Sequence, residues 1–147
     1  GKTGSFLDIH IDFSMHHHLN VYRRLNLLIF FNKDWKDEWH GHTELWNADM
    51  TKCEKKVRPD FNRAVIFMTT GKSYHGYDKI CPPEDVTRKS FYTYFYTNES
   101  GEQNESYNDT IFKTRPEEGV LKKTIVSAKE FSKNSVKRLF HTLGMKF

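Results

Sequence analysis

Residues 90–97 read Ser90-Phe91-Tyr92-Thr93-Tyr94-Phe95-Tyr96-Thr97. Aromatic and β-branched side chains fill a pleated sheet better than a helix, and this run has no helix-forming face. It predicts a strand. Working outward, Phe6-Leu7-Asp8-Ile9-His10-Ile11-Asp12 alternates apolar and polar residues, as a half-buried strand does. Residues 25–31 are apolar apart from Asn26 and predict a strand buried on both faces. Thr43-Glu44-Leu45-Trp46 and residues 64–68 predict two more. Turn signals punctuate them at Asn32-Lys33-Asp34, Asn47-Ala48-Asp49, Thr70-Gly71-Lys72 and Cys81-Pro82-Pro83. Short strands separated in this way indicate a mainly β sandwich, jelly roll or barrel.

The 147 residues suit one core, and the aromatic content of 15% supplies much of its buried area. Residues 98–108 are polar and predict an exposed loop. Beyond them the pattern turns helical: Ser127-Ala128-Lys129-Glu130 has the form of a capping box, and Gly144 is placed to end the helix. The net charge of +4 sits in this tail, where Lys122, Lys123, Lys129, Lys133, Lys137, Arg138 and Lys146 face only Glu130. Residues 1–118 are slightly acidic, which argues against a nucleic-acid groove. Cys53 and Cys81 make neither a disulfide framework nor a metal spacing. With no apolar run of membrane-spanning length, the expectation is a cytoplasmic protein with no membrane partner.

His10-Ile11-Asp12 carries the chemistry. Residues two apart on a strand point the same way, so an imidazole and a carboxylate share one face. With a second imidazole from another strand they would form a 2-His-1-carboxylate triad, the arrangement that leaves positions open on Fe(II). Alone, a His-x-Asp pair is a common accident and reads as two solvent-facing polar residues.

Its surroundings are more specific. Arg23 to Trp35 (RRLNLLIFFNKDW) is followed by Gly41-His42-Thr43-Glu44-Leu45-Trp46, then Ser73-Tyr74-His75-Gly76, then Arg88-Lys89-Ser90. In this order the segments resemble the prolyl-hydroxylase-like branch of the Fe(II)/2-oxoglutarate oxygenases, over about residues 4–97. The resemblance implies a double-stranded β-helix (jelly roll) in residues 1–118; residues 119–147 are expected, from their own pattern, as a basic helical extension packed on it. It implies His10, Asp12 and His75 as catalytic metal ligands. It makes Arg88 and Ser90 the site for the far carboxylate of 2-oxoglutarate, and Asn26, Leu28 and Phe30 the wall of that pocket. Phe30 stands where some relatives have a tyrosine that bonds the same carboxylate. The implied cofactors are Fe(II), 2-oxoglutarate and O2, with ascorbate as a stimulant. The implied reaction couples decarboxylation of 2-oxoglutarate to hydroxylation of a C–H bond in a small-molecule, peptide or protein substrate.

Two other functions stand beside this one. A jelly roll lacking turnover could bind a sugar or peptide, but all four of His10, Asp12, His75 and Arg88 are present. Nucleic-acid demethylation asks for an arginine six residues after Arg88, where this chain has Tyr94. His16-His17-His18 reads as a loop at the mouth of the site, and Trp35, Trp39 and Trp46 read as packing residues. The first ligand stands ten residues from the start, where relatives carry bracing elements. An exposed edge strand over residues 4–12 is therefore expected, and with it a homodimer.

Overall fold

The computed structural model describes residues 1–16, 18–98 and 108–142, without the side chains of 134 and 136–142. Among these residues nine strands and one long helix follow in order: β1 (Leu7–Ile11), β2 (Met15–His16), β3 (Val21–Phe30), β4 (Thr43–Trp46), β5 (Cys53–Val57), β6 (Arg63–Met68), β7 (His75–Tyr77), β8 (Ser90–Thr97), β9 (Ile111–Lys113) and α1 (Val120–Thr142). They form two antiparallel sheets. One runs β5-β4-β7-β1-β9; in the other, β3 is flanked by β2 and β6 on one side and β8 on the other. The architecture is mainly β and jelly-roll-like.

β3 organises the second sheet. Asn26 pairs with Phe67 and Tyr94, Leu28 with Val65 and Tyr92, and Phe30 with Arg63 and Ser90. These positions face the interior, where Asn26 and Phe30 are buried. Leu25, Leu27 and Ile29 face outward beside Met68, Ile66, Phe95 and Phe91, and these last four are all about half exposed or more. The expectation of a strand buried on both faces therefore fails for β3, because one face of its sheet is uncovered among the described residues.

β1 is buried on both faces. Ile9 and Ile11 are almost fully enclosed on one side, each burial worth about 1.5–3 kcal/mol, while His10 faces the interior on the other. Gly76 permits the close approach of β7 to β1. A Cβ there would lie 2.6 Å from the Leu7 carbonyl oxygen, so any side chain would push the two strands apart.

Two expectations are corrected. β1 is not an edge strand: β7 pairs with one side of it and β9 with the other at Ile9, His10 and Ile11. α1 begins at Val120 rather than after Ser127. Its first turn is anchored by Lys122, whose ammonium bonds Asp8 at 2.7 Å and Glu118 at 2.6 Å, so tertiary contact overrides the local capping pattern. Gly144 lies outside the described residues. β5 and β9 were not foreseen: β5 is a charged, exposed edge strand, and β9 is only three residues long. Among the described residues no helix is long and apolar enough to cross a membrane.

Candidate metal centre

β1 supplies His10, and β7 pairs with it so that His10 and His75 are register partners. Asp12 stands one residue past the end of β1. The pairing brings one ligand atom from each of His10, Asp12 and His75 within 4.8 Å of the others, and all three residues are buried. His10 Nε2 is 3.7 Å from Asp12 Oδ1, and His75 Nε2 is 3.7 Å from Asp12 Oδ2. These separations are too long for hydrogen bonds and leave room for an ion between the three groups.

The tautomers follow from the backbone. His10 Nδ1 is 2.9 Å from the Asp8 carbonyl oxygen, and His75 Nδ1 is 2.9 Å from that of Ser73. A carbonyl only accepts, so each Nδ1 carries the proton and each Nε2 presents its lone pair to the centre. Burial, followed by the nearby His10, lowers the His75 pKa to about 4. The ring is therefore neutral at neutral pH, as ligation requires.

This shift has a sign that can be tested on the metal-free protein. Above pH 6.5 His75 is neutral in both folded and unfolded chains. Between pH 6.5 and about 4 the unfolded chain takes up a proton that the folded one refuses. Stability is expected to fall through this window by about 3 kcal/mol. Urea midpoints measured across it should show the loss, and His75→Gln should flatten it.

The surroundings of Asp12 include a residue that the sequence did not point to. Arg23 Nη1 lies 3.2 Å from Asp12 Oδ1 with both side chains buried. Its guanidinium is held between the rings of Phe13 at 3.7 Å and Tyr94 at 3.6 Å, and its Nη2 donates to the Tyr96 hydroxyl. Strand parity alone would put Arg23 outside with Leu25. A register shift between Arg23 and Leu25 turns it inward. Asn26 Nδ2 donates to Asp12 Oδ2 at 3.1 Å. Burial opposes ionisation of Asp12, but the charges of His75, Arg23 and His10 prevail, and its pKa falls.

The metal group opens onto a cavity of about 370 Å³, also lined by Asn26, Leu28, Arg88, Ser90 and Tyr92. Phe30 is fully buried and does not line it; its ring lies 5.2 Å from the Arg88 guanidinium carbon. Arg88 is buried, and among the described residues no carboxylate pairs with it. Its Nε donates to the Gly41 carbonyl at 2.9 Å and its Nη2 to Thr43 Oγ1 at 3.3 Å, while the Tyr77 ring lies 4.2 Å away. Gly41, at φ +73°, is required here, since a Cβ would stand 3.3 Å from Arg88 Cδ and 2.3 Å from Ile80.

Thr43 and Tyr77 are β4–β7 register partners that also line the cavity, and the sequence did not single them out. Their role depends on a pairing between strands far apart in the chain. His16 lies near Tyr96 and does not join the metal group; His17 is outside the described residues.

The donor set suits a divalent iron: two imidazoles presenting Nε2, one carboxylate, and space beside them. Arg88, with no carboxylate partner among the described residues, suits a ligand carrying one. Asn26 Oδ1 is buried without a partner and leaves an acceptor at the same cavity.

A family model described as the 2OG-Fe(II) oxygenase superfamily matches residues 1–96. No curated protein and no solved structure matches the chain.

Proposed function

The chain belongs to the 2OG-Fe(II) oxygenase superfamily, and from that premise we propose that it is a hydroxylase of the prolyl-hydroxylase-like type. It is an enzyme that uses Fe(II), 2-oxoglutarate and O2. In this reading His10, Asp12 and His75 hold the iron, and Arg88 receives the far carboxylate of 2-oxoglutarate. The bound iron supplies oxidative decarboxylation of that cosubstrate coupled to insertion of oxygen into a C–H bond.

The chain's own residues prepare this chemistry. His10 and His75 are locked as Nε2 donors by the carbonyls behind them. Arg23 and Asn26 take one oxygen each of Asp12 and keep its carboxylate from rotating. Arg88 spends Nε and one Nη2 proton on Gly41 and Thr43, which leaves Nη1 for the incoming carboxylate. Ser90, two residues on, adds a hydroxyl to the same cavity. All four charged or ligating groups are nearly enclosed, which strengthens each electrostatic contact.

One observation carries the proposal: one cavity joins His10 and His75 of the buried three-residue group to the buried Arg88 guanidinium, which has no carboxylate partner among the described residues. The test is anaerobic addition of Fe(II) and 2-oxoglutarate, followed by admission of O2. A weak visible absorption band is expected, then succinate. Proline-containing peptides should accelerate succinate formation and gain one oxygen atom. A folded protein that shows neither band nor succinate would sink the assignment of the site. Succinate without hydroxylation of any proline peptide would retain the oxygenase and reject the prolyl type.

A further inference from the structure

Residues 108–113 lie outside the stretch matched by the family model, yet they reach both His10 and Asp12. β9 pairs with β1 through Ile9↔Lys113, His10↔Phe112 and Ile11↔Ile111. Phe112 stands directly across from His10, with ring centroids 5.5 Å apart, and His75 lies 4.4 Å away on the same imidazole. Phe112 is 36% exposed while His10 is 7% exposed, so the phenyl ring is the more solvent-facing of the pair.

Asp12 presents a different problem. It lies past the end of β1, so the β1 ladders do not hold its backbone. Asn108 does. Its Nδ2 donates to the Asp12 carbonyl at 2.9 Å. Its main chain exchanges bonds with Ser14: the Ser14 N–H donates to the Asn108 carbonyl at 3.0 Å, and the Asn108 N–H donates to Ser14 Oγ at 3.0 Å. Farther on, the segment is fastened by the buried Arg115–Glu44 pair at 2.8 Å and by the Lys122–Asp8 contact.

We propose that residues 108–113 are a positioning brace for the metal centre, with Asn108 setting the backbone of Asp12 and Phe112 setting the ring plane of His10. The inference rests on the reading of His10 and Asp12 as iron ligands. Neither Asn108 nor Phe112 is a ligand; both act through groups that are. A three-ligand site has few donors, and its affinity depends on how closely those donors are held before the ion arrives. Loss of such outer partners typically weakens metal binding about 10- to 100-fold.

The test uses the full chain and Mn(II), with the free aquo ion counted by electron paramagnetic resonance. Asn108→Ala and Phe112→Ala are expected to bind Mn(II) about 10- to 100-fold more weakly than wild type. Circular dichroism of the metal-free proteins should remain that of wild type. The Co(II) ligand-field spectrum should shift in both variants, which a general loss of stability would not produce. If Asn108→Ala does not fold, Asn108→Asp decides, because it keeps the main-chain bonds and size but removes the donor to Asp12. Phe112→Leu does the same for the ring. Wild-type binding that is lost in His75→Ala but unchanged in the brace variants overturns the brace alone. A wild-type protein that binds no Mn(II) overturns the iron reading and the brace with it.

Discussion

Asp12→Ala is expected to abolish metal binding and to weaken the fold by about 3–5 kcal/mol. The first effect follows from removal of the only carboxylate in the three-ligand group. The second comes from Arg23. Its guanidinium is 3% exposed, lies between Phe13 and Tyr94, and already has one buried nitrogen, Nε, without a partner. Removing Asp12 leaves that cation with the Tyr96 hydroxyl and two ring faces. Asn26 loses its acceptor in the same step. The double variant Asp12→Ala/Arg23→Met should recover most of the lost stability, because the buried charge leaves with its partner, yet it should still bind no metal. Chemical denaturation and metal titration of the three proteins separate the two effects. An Asp12→Ala protein as stable as wild type would show that Arg23 does not depend on this carboxylate. One that still bound metal stoichiometrically would remove Asp12 from the ligand set.

Arg88→Met is expected to weaken 2-oxoglutarate binding by about 100-fold or more while costing the fold only about 1–3 kcal/mol. A buried, charge-assisted contact to a carboxylate is worth about 2–5 kcal/mol when one partner is removed, and each 1.4 kcal/mol is tenfold. The cost stays small because among the described residues no carboxylate is left behind: only the Gly41 carbonyl and the Thr43 hydroxyl lose a donor, and methionine can occupy the space between Phe30 and Tyr77 without a charge. Arg88→Lys should recover little, since an ammonium cannot reproduce the planar fork that Gly41 and Thr43 orient. The control ligand is 2-oxopentanoate, which has the same keto-acid end and lacks the far carboxylate. It should bind wild type and Arg88→Met alike. Anaerobic titration of the visible band measures both ligands. Equal affinity of the two proteins for 2-oxoglutarate would remove Arg88 from the cosubstrate site.

The metal group itself was largely legible because its geometry is local. Period-two alternation in residues 6–12 puts His10 and Asp12 on one face whatever the rest of the chain does. The same rule puts Ser90 on the face of Tyr92 and Tyr94, and all three line the cavity. His75 was legible only through its resemblance to a family, since no periodicity links it to residue 10. The uneven charge and the aromatic strand of residues 90–97 likewise needed no fold to be seen.

What escaped the sequence depends on pairings between distant segments. Arg23 enters the site because a bulge in the β3–β8 ladder reverses its parity, and a bulge is a compromise between two strands rather than a property of one. Thr43 and Tyr77 meet at Arg88 because β4 and β7 are in register. β9, three residues long, has no signal of its own and becomes a strand only where β1 offers an open edge. The start of α1 is set by Lys122 reaching Asp8 across the fold, which a capping pattern at Ser127 cannot anticipate. The sequence by itself determined the β class, the ligand pair on one strand and the placement of charge, because side-chain alternation and composition act over a few residues. The tertiary structure decided which charge sits beside Asp12, what braces it and which strand is left at an edge, because those outcomes come from long-range register.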